Sequence, residues 1–176
     1  KPLGVGIITT AIKRGMANAA AIGRVTEVMS LLNRDAAEAM VATGVNACTD
    51  VTGFGLLGHL LEMTRGSGVK ARINANAVPV MQAARDLIEL DKSTVPNGTR
   101  NNLDYVSPFI DFDAAIDEQE KLILADAQTS GGLLISCPPE KAGSLEETLR
   151  EAGAITAARI GIIEAEDEEG RIEVTP

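Results

Sequence analysis

The sequence predicts an α/β (α+β) fold, a mixed β-sheet with helices packed on it. Three observations carry this. Short runs rich in β-branched residues alternate with stretches whose apolar residues recur every three or four positions. The chain closes on two strand-like runs around an acidic turn, residues 157–174. Of its 176 residues 45% are apolar and only 2% aromatic, so a core must be built from Ile, Leu, Val, Ala and Met. There are no internal repeats and no low-complexity linker.

Taken in order, residues 3–13 read as a β-strand, dense in β-branched side chains and apolar on both faces. Thr9, Thr10 and Lys13 end it, either as a solvated strand end or facing phosphate. Residues 14–23 read as a loop or a frayed helical entry. Val25, Val28, Met29 and Leu32 form a helical stripe from Arg24, and Ala36, Ala39, Met40 and Val41 form a second one after Asn33. Asp35 and Glu38 have capping-box spacing, and Gly44 is the stop. Val45–Cys48 reads as the end of a buried strand. A helix then runs from Phe54 to about Thr64, halted by Gly66-Ser67-Gly68. Val69–Asn74 alternates as a strand does, and Asn76 and Pro79 open a helix from Val80 to about Leu90. Residues 91–108 read as a long polar loop around a Pro96-Asn97-Gly98 turn. In that loop, Arg100 is either a phosphate contact or a surface arginine, while Asn101 and Asn102 fix the loop on its own backbone. Residues 109–112 read as extended, Asp117–Leu124 as a helix, Leu133–Cys137 as a strand and Pro138–Ala152 as a helix. Residues 157–163 and Arg171–Val174 close the chain as a hairpin, the latter as an edge strand.

Charge narrows the function. With 25 acidic against 16 basic residues the net charge is −9, which argues against nucleic acid and against an anionic membrane surface. No apolar run reaches the roughly 18 residues of a membrane span, and no signal-peptide pattern opens the chain. Cys48 and Cys137 lie in apolar stretches without metal-ligand spacing, so buried free thiols and a cytoplasmic setting are expected. His59 is the sole histidine, so a zinc site is not expected. Its alternatives are a general base or a packed, capping group.

The chemistry concentrates where a strand meets a helix, Thr49-Asp50-Val51-Thr52-Gly53-Phe54-Gly55. Thr52 is a candidate N-cap, and Gly53 lets a ligand or another segment approach the backbone. Helix N-termini favour anions, and a carboxylate beside one is placed to hold magnesium shared with phosphates. The plainer alternative is that Asp50 and Thr52 only cap the helix. Thr129 and Ser130, before the strand at Leu133, either border an anion site or form a tight turn.

The string from Thr49 to His59 resembles the signature of the C-terminal domain of the selenophosphate synthetase (selenide, water dikinase) family, in the aminoimidazole ribonucleotide synthetase superfamily. Lys1-Pro2-Leu3-Gly4, residues 6–11, Leu32-Asn33-Arg34, residues 95–101 and residues 126–135 resemble further family strings in the same order. The resemblance implies that superfamily's C-terminal domain fold and one domain over 1–176, belonging to a longer two-domain enzyme. The start at Lys1, without a methionine, fits a domain junction. The implied reaction turns selenide, ATP and water into selenophosphate, AMP and phosphate, with Mg2+ and ATP as cofactors. Asp50 is implied as a metal ligand, and Thr49, Thr52, Gly53, Thr129 and Ser130 as nucleotide-site residues. The nucleophile, its lysine partner and the glycine-rich loop belong to the family's N-terminal domain, so no catalytic residue is expected here. The implied partners are selenide, ATP, that N-terminal domain and a second copy in a homodimer. The chain alone is expected to be inactive and, with one carboxylate, to hold no ordered magnesium. The alternatives are another superfamily member, acting on a ribonucleotide, a thiamine phosphate or a hydrogenase-maturation group, or a non-catalytic module.

Overall fold

The residues expected to open the chain as a strand form a helix instead. The computed structural model describes residues 1–176, and in it α1 spans Val5–Lys13. Val5, Ile7, Ile8 and Ala11 are all fully buried, and their spacing is helical. With Gly6, Thr9, Thr10 and Ile12 half-buried and only Lys13 exposed, the helix shows no clean polar face, so its β-branched residues imitate a buried strand. Leu3, just before it, makes a single parallel bridge to Val80.

Two helices follow, as expected. α2 (Ala19–Ser30) starts at Asn18, whose side chain accepts from the Ala21 N–H over 2.8 Å. α3 (Arg34–Thr43) starts at Asn33 with no side-chain cap, so the anticipated Asp35/Glu38 capping box is not formed. Asp35 sits instead in the first turn, complementing the helix dipole. β1 (Ala47–Asp50) pairs antiparallel with β4 (Leu133–Ser136), with Asp50 opposite Leu133. α3 and α8 (Pro139–Glu151) pack together beside this ribbon.

A second sheet has the order β3-β6-β2-β5, formed by Ile110–Phe112, Ile172–Thr175, Val69–Asn74 and Gly161–Glu166. β2 runs antiparallel to β5 and parallel to β6, and β6 runs parallel to β3. The expected terminal hairpin is therefore absent: β5 and β6 flank β2 on opposite sides. The β6 residues Ile172 and Val174 are fully buried, so the last strand is interior and not an edge. β5, starting four residues later than expected, takes the edge.

α4 (Gly55–Ser67) is buried almost all round in its first two turns and stops at Gly68 in the left-handed conformation. α5 covers Gln82–Leu90 and α7 covers Glu118–Leu124, the latter capped by Asp117. The long polar loop expected over 91–108 is largely helix, α6 (Asn97–Val106), with Pro96 at its N-cap. Thr99, Leu103 and Val106 are its buried stripe, and the Pro-Asn-Gly run masked it. The 32 residues of the main core include no aromatic ring, as the composition required. No helix is long and apolar enough to cross a membrane.

Candidate functional site

The site begins where β1 and β4 part. Beyond the ladder, the Val51 N–H donates to the Gly132 carbonyl over 2.8 Å and the Gln128 N–H to the Thr52 carbonyl over 2.9 Å. Residues 50–52 and 128–132 thus lie side by side. Two glycines permit this approach. A Cβ on Gly131 would run into the Val51 carbonyl oxygen, and one on Gly55, at φ 69°, would meet the Ala125 carbonyl.

At the mouth, Asp50 is exposed, and its carboxylate has no ion-pair or hydrogen-bond partner. The Thr49 hydroxyl donates to the Asp50 carbonyl over 3.3 Å. Thr52 does not cap α4. The helix starts at Gly55, and Thr52 Oγ1 shares a 3.0 Å hydrogen bond with His59 Nε2. Gly53 is exposed, and Phe54 beside it is 53% exposed. Thr129 and Ser130 are exposed across the gap from this turn. Ser130 takes φ 56°, and Lys1 Nζ donates to its carbonyl over 2.7 Å and to its hydroxyl over 3.3 Å. The structure therefore brings the sequence-predicted residues into one neighbourhood.

His59 is buried within α4. Its Nδ1 lies 3.2 Å from Glu62 Oε2 but off the line of a hydrogen bond, and its ring tilts against Phe54 at 5.6 Å. It braces the turn, the packed role of its two alternatives. Arg100 donates to the Lys92 carbonyl over 2.9 Å on the surface. Asn102 does not fix its own loop: its amide donates to the carbonyls of Gly53 over 2.8 Å and Ala125 over 3.1 Å.

Asp126 and Gln128 hold the neighbourhood together, a role the sequence reading missed. Asp126 is fully buried. Its carboxylate accepts from Thr99 Oγ1 at 2.8 Å, the Gly6 N–H at 2.9 Å, Gln128 Nε2 at 3.1 Å and the Ile7 N–H at 3.3 Å. Gln128 Oε1 accepts the Val5 N–H over 3.2 Å. The two side chains cap α1 from a distance of some 120 residues along the chain. Burial pushes the Asp126 carboxyl up to about 6, against the pull of its four hydrogen bonds. Gly6-Ile7 at a helix start, together with a polar string at 126–128, was the signal available.

Cys48 and Cys137 are free but half-buried, not buried as expected. Burial raises the Cys48 thiol, and the Asp50 charge raises it further, so it is held protonated. No group of three or more His, Cys, Asp or Glu side chains converges anywhere. An open apolar cavity of about 630 Å³, lined by Leu60, Met63, Ile73, Leu133 and Leu145, reaches Val51 and Gly132 behind the turn but not Asp50, Thr52, Gly53, Thr129 or Ser130.

A family model described as "AIR synthase related protein, C-terminal domain" matches residues 1–173. A selenide, water dikinase of Carboxydothermus hydrogenoformans is 46% identical over 163 residues, 93% of this chain and 46% of that protein. Another, of Pelobacter propionicus, is 46% identical over 161 residues, 92% of this chain and 46% of that protein. The chain spans about half the length of the curated relatives it matches. Among solved structures, hydrogenase maturation protein HypE in complex with ATP is similar at TM-score 0.63 and 22% identity, over 98% of this chain and 44% of that one. Thiamine-monophosphate kinase of Stenotrophomonas maltophilia is similar at TM-score 0.66 and 16% identity, over 98% of this chain and 47% of that one. These two likenesses show the fold.

Proposed function

Since the chain belongs to the AIR synthase related family as its C-terminal domain, we propose that it is the C-terminal half of a selenide, water dikinase. That enzyme makes selenophosphate, AMP and phosphate from selenide, ATP and water. The observation that carries the reading is the Asp50 carboxylate, exposed and unpaired at the end of β1 beside the turn at Thr52 and Gly53. Its 46% identity to selenide, water dikinases supports this substrate over those of the structural neighbours.

The residues fit one share of a magnesium–nucleotide site. A lone carboxylate is a weak magnesium site, because the ion keeps its water unless phosphates and further ligands converge. Asp50 therefore supplies one ligand, and an N-terminal domain supplies the others. The chemistry such an ion would supply, held in part by Asp50, is neutralisation of charge on the phosphates. On this chain, Thr52 and Gly53 shape the wall beside the phosphates, with Thr49 behind them. Thr129 and Ser130 border the same gap from the other side. The closed site is assembled with that N-terminal domain, in a homodimer. The unpaired thiols support a reducing, cytoplasmic setting.

The test is selenide-dependent formation of AMP by the full-length protein, with selenophosphate followed by phosphorus NMR. The expected result is one AMP per selenophosphate. ATP turnover that ignores selenide would overturn the assignment.

A further inference from the structure

The geometry points to Asn102 as a positioning residue for the turn that presents Asp50, an inference that rests on the function proposed above. The stripe Thr99, Leu103 and Val106 fixes how α6 is rotated, and Asn102 stands at the edge of that stripe. Its two amide protons are both used, on carbonyls 49 and 23 residues away in the chain. One belongs to Gly53, in the turn after Asp50. The other belongs to Ala125, at the root of the segment carrying Thr129 and Ser130. A single side chain thus ties together the two walls of the gap.

Backbone bonds to Gly132 and Gln128 hold Val51 and Thr52, but neither reaches Gly53 at the tip of the turn. Gly53 has no side chain, and nothing lies within 4 Å of where a Cβ would stand. No backbone N–H reaches its carbonyl. The restraints on the preceding residue, Thr52 Oγ1 with His59 and the Thr52 carbonyl with the Gln128 and Gly55 N–H groups, do not touch Gly53 itself. Without Asn102 the Gly53 carbonyl loses its donor, and the tip of the turn is no longer tied to Ala125, although the backbone bonds at Val51 and Thr52 remain. The backbone of Asp50 and Thr52 stays pinned by the ladder and by the Gln128 N–H, so the loosening at Gly53 reaches them through the turn. Asn102 touches no reacting group and acts through Gly53.

The test uses the full-length enzyme and reads the magnesium concentration that half-activates it, KM for ATP, kcat and Tm. Asn102→Ala is expected to raise the half-activating magnesium and KM roughly tenfold, the size set by two lost hydrogen bonds. kcat at saturation should stay within about twofold, since the chemistry itself is untouched. Asn102→Asp, which sets a carboxylate against two carbonyl oxygens, should be worse than alanine in the same constants. Should the aspartate variant not fold, the alanine variant decides. A lower Tm with unchanged magnesium and ATP constants would overturn the inference and leave Asn102 structural. Asp50→Asn separates the two levels. If it shifts magnesium dependence while Asn102→Ala does not, only this inference fails. If Asp50→Asn itself changes nothing, the parent reading fails. In the Asp50→Asn background, Asn102→Ala should add nothing to the magnesium shift, and full additivity would overturn the coupling.

Discussion

Thr99 donates its hydroxyl to the buried carboxylate of Asp126 over 2.8 Å, and the same oxygen accepts the Ala127 N–H over 3.2 Å. Through this pair, α6 is joined to the segment that leads into β4, and Asp126 in turn holds the first turn of α1. Replacing Thr99 by Val keeps the shape and removes both bonds. A buried carboxylate then loses a donor and a half-buried N–H loses its acceptor, at about 2–4 kcal/mol. Urea unfolding should show this loss for Thr99→Val and most of the stability retained for Thr99→Ser. Equal stability of the valine variant would contradict the role.

Asp126 makes stability depend on pH in an unusual direction. The folded protein holds its proton up to about pH 6, whereas in the unfolded chain an aspartate releases it near pH 4. Between those values the folded state binds more protons than the unfolded one, so this group's contribution falls as pH rises. The fall amounts to about 2 kcal/mol between pH 4 and pH 6.5. Unfolding free energies across that range should show the decline in the wild type and a flatter profile in Asp126→Asn. The same profile in both proteins would place the titration elsewhere.

The close approach of residues 51 and 131 predicts a steric failure. Gly131→Ala would drive a methyl group into the Val51 carbonyl oxygen, where backbone cannot yield without opening the pairing beyond β1 and β4. A destabilisation of about 3 kcal/mol or more is expected by thermal unfolding. Gly53→Ala, with open space around it, should cost less than about 1 kcal/mol. The reverse order would show that the two segments are not in register as described.

Much of this was legible in the sequence, and the misses share a cause. The stretch from β1 through α4 and β2 was readable because periodicity and glycine punctuation agree there. α1 was missed because a helix rich in Ile, Val and Thr, with only Lys13 exposed, has no polar face to set its period. α6 was missed because Pro96, Asn97 and Gly98 signal a turn more loudly than Thr99, Leu103 and Val106 signal a stripe. The terminal hairpin was wrong because nothing local reveals that β2 inserts between β5 and β6. The site residues could be named from the string around Asp50, but the bonds that hold them could not. Asn102 to Gly53, Thr52 to His59 and Asp126 to Gly6 are tertiary contacts, and of these only Thr52 and His59 are near in sequence.

The proposed division of labour predicts that the 176-residue chain alone is inactive. It carries no cluster of metal donors and only one carboxylate at the mouth of the site. Selenide-dependent AMP formation should be at background for this chain and present for the full-length protein. Turnover by the isolated chain would show that the nucleophile and nucleotide sites need no second domain.

The most direct measurement is the magnesium dependence of selenide-dependent AMP formation by full-length Asp50→Asn. Because Asp50 is exposed and unpaired, its Tm should stay within about 1 °C of the wild type. Its kcat/KM should fall roughly a hundredfold, the size met when one preorganised charge-stabilising group is removed, and excess magnesium should restore part of it. Wild-type rates at every magnesium concentration would contradict the account.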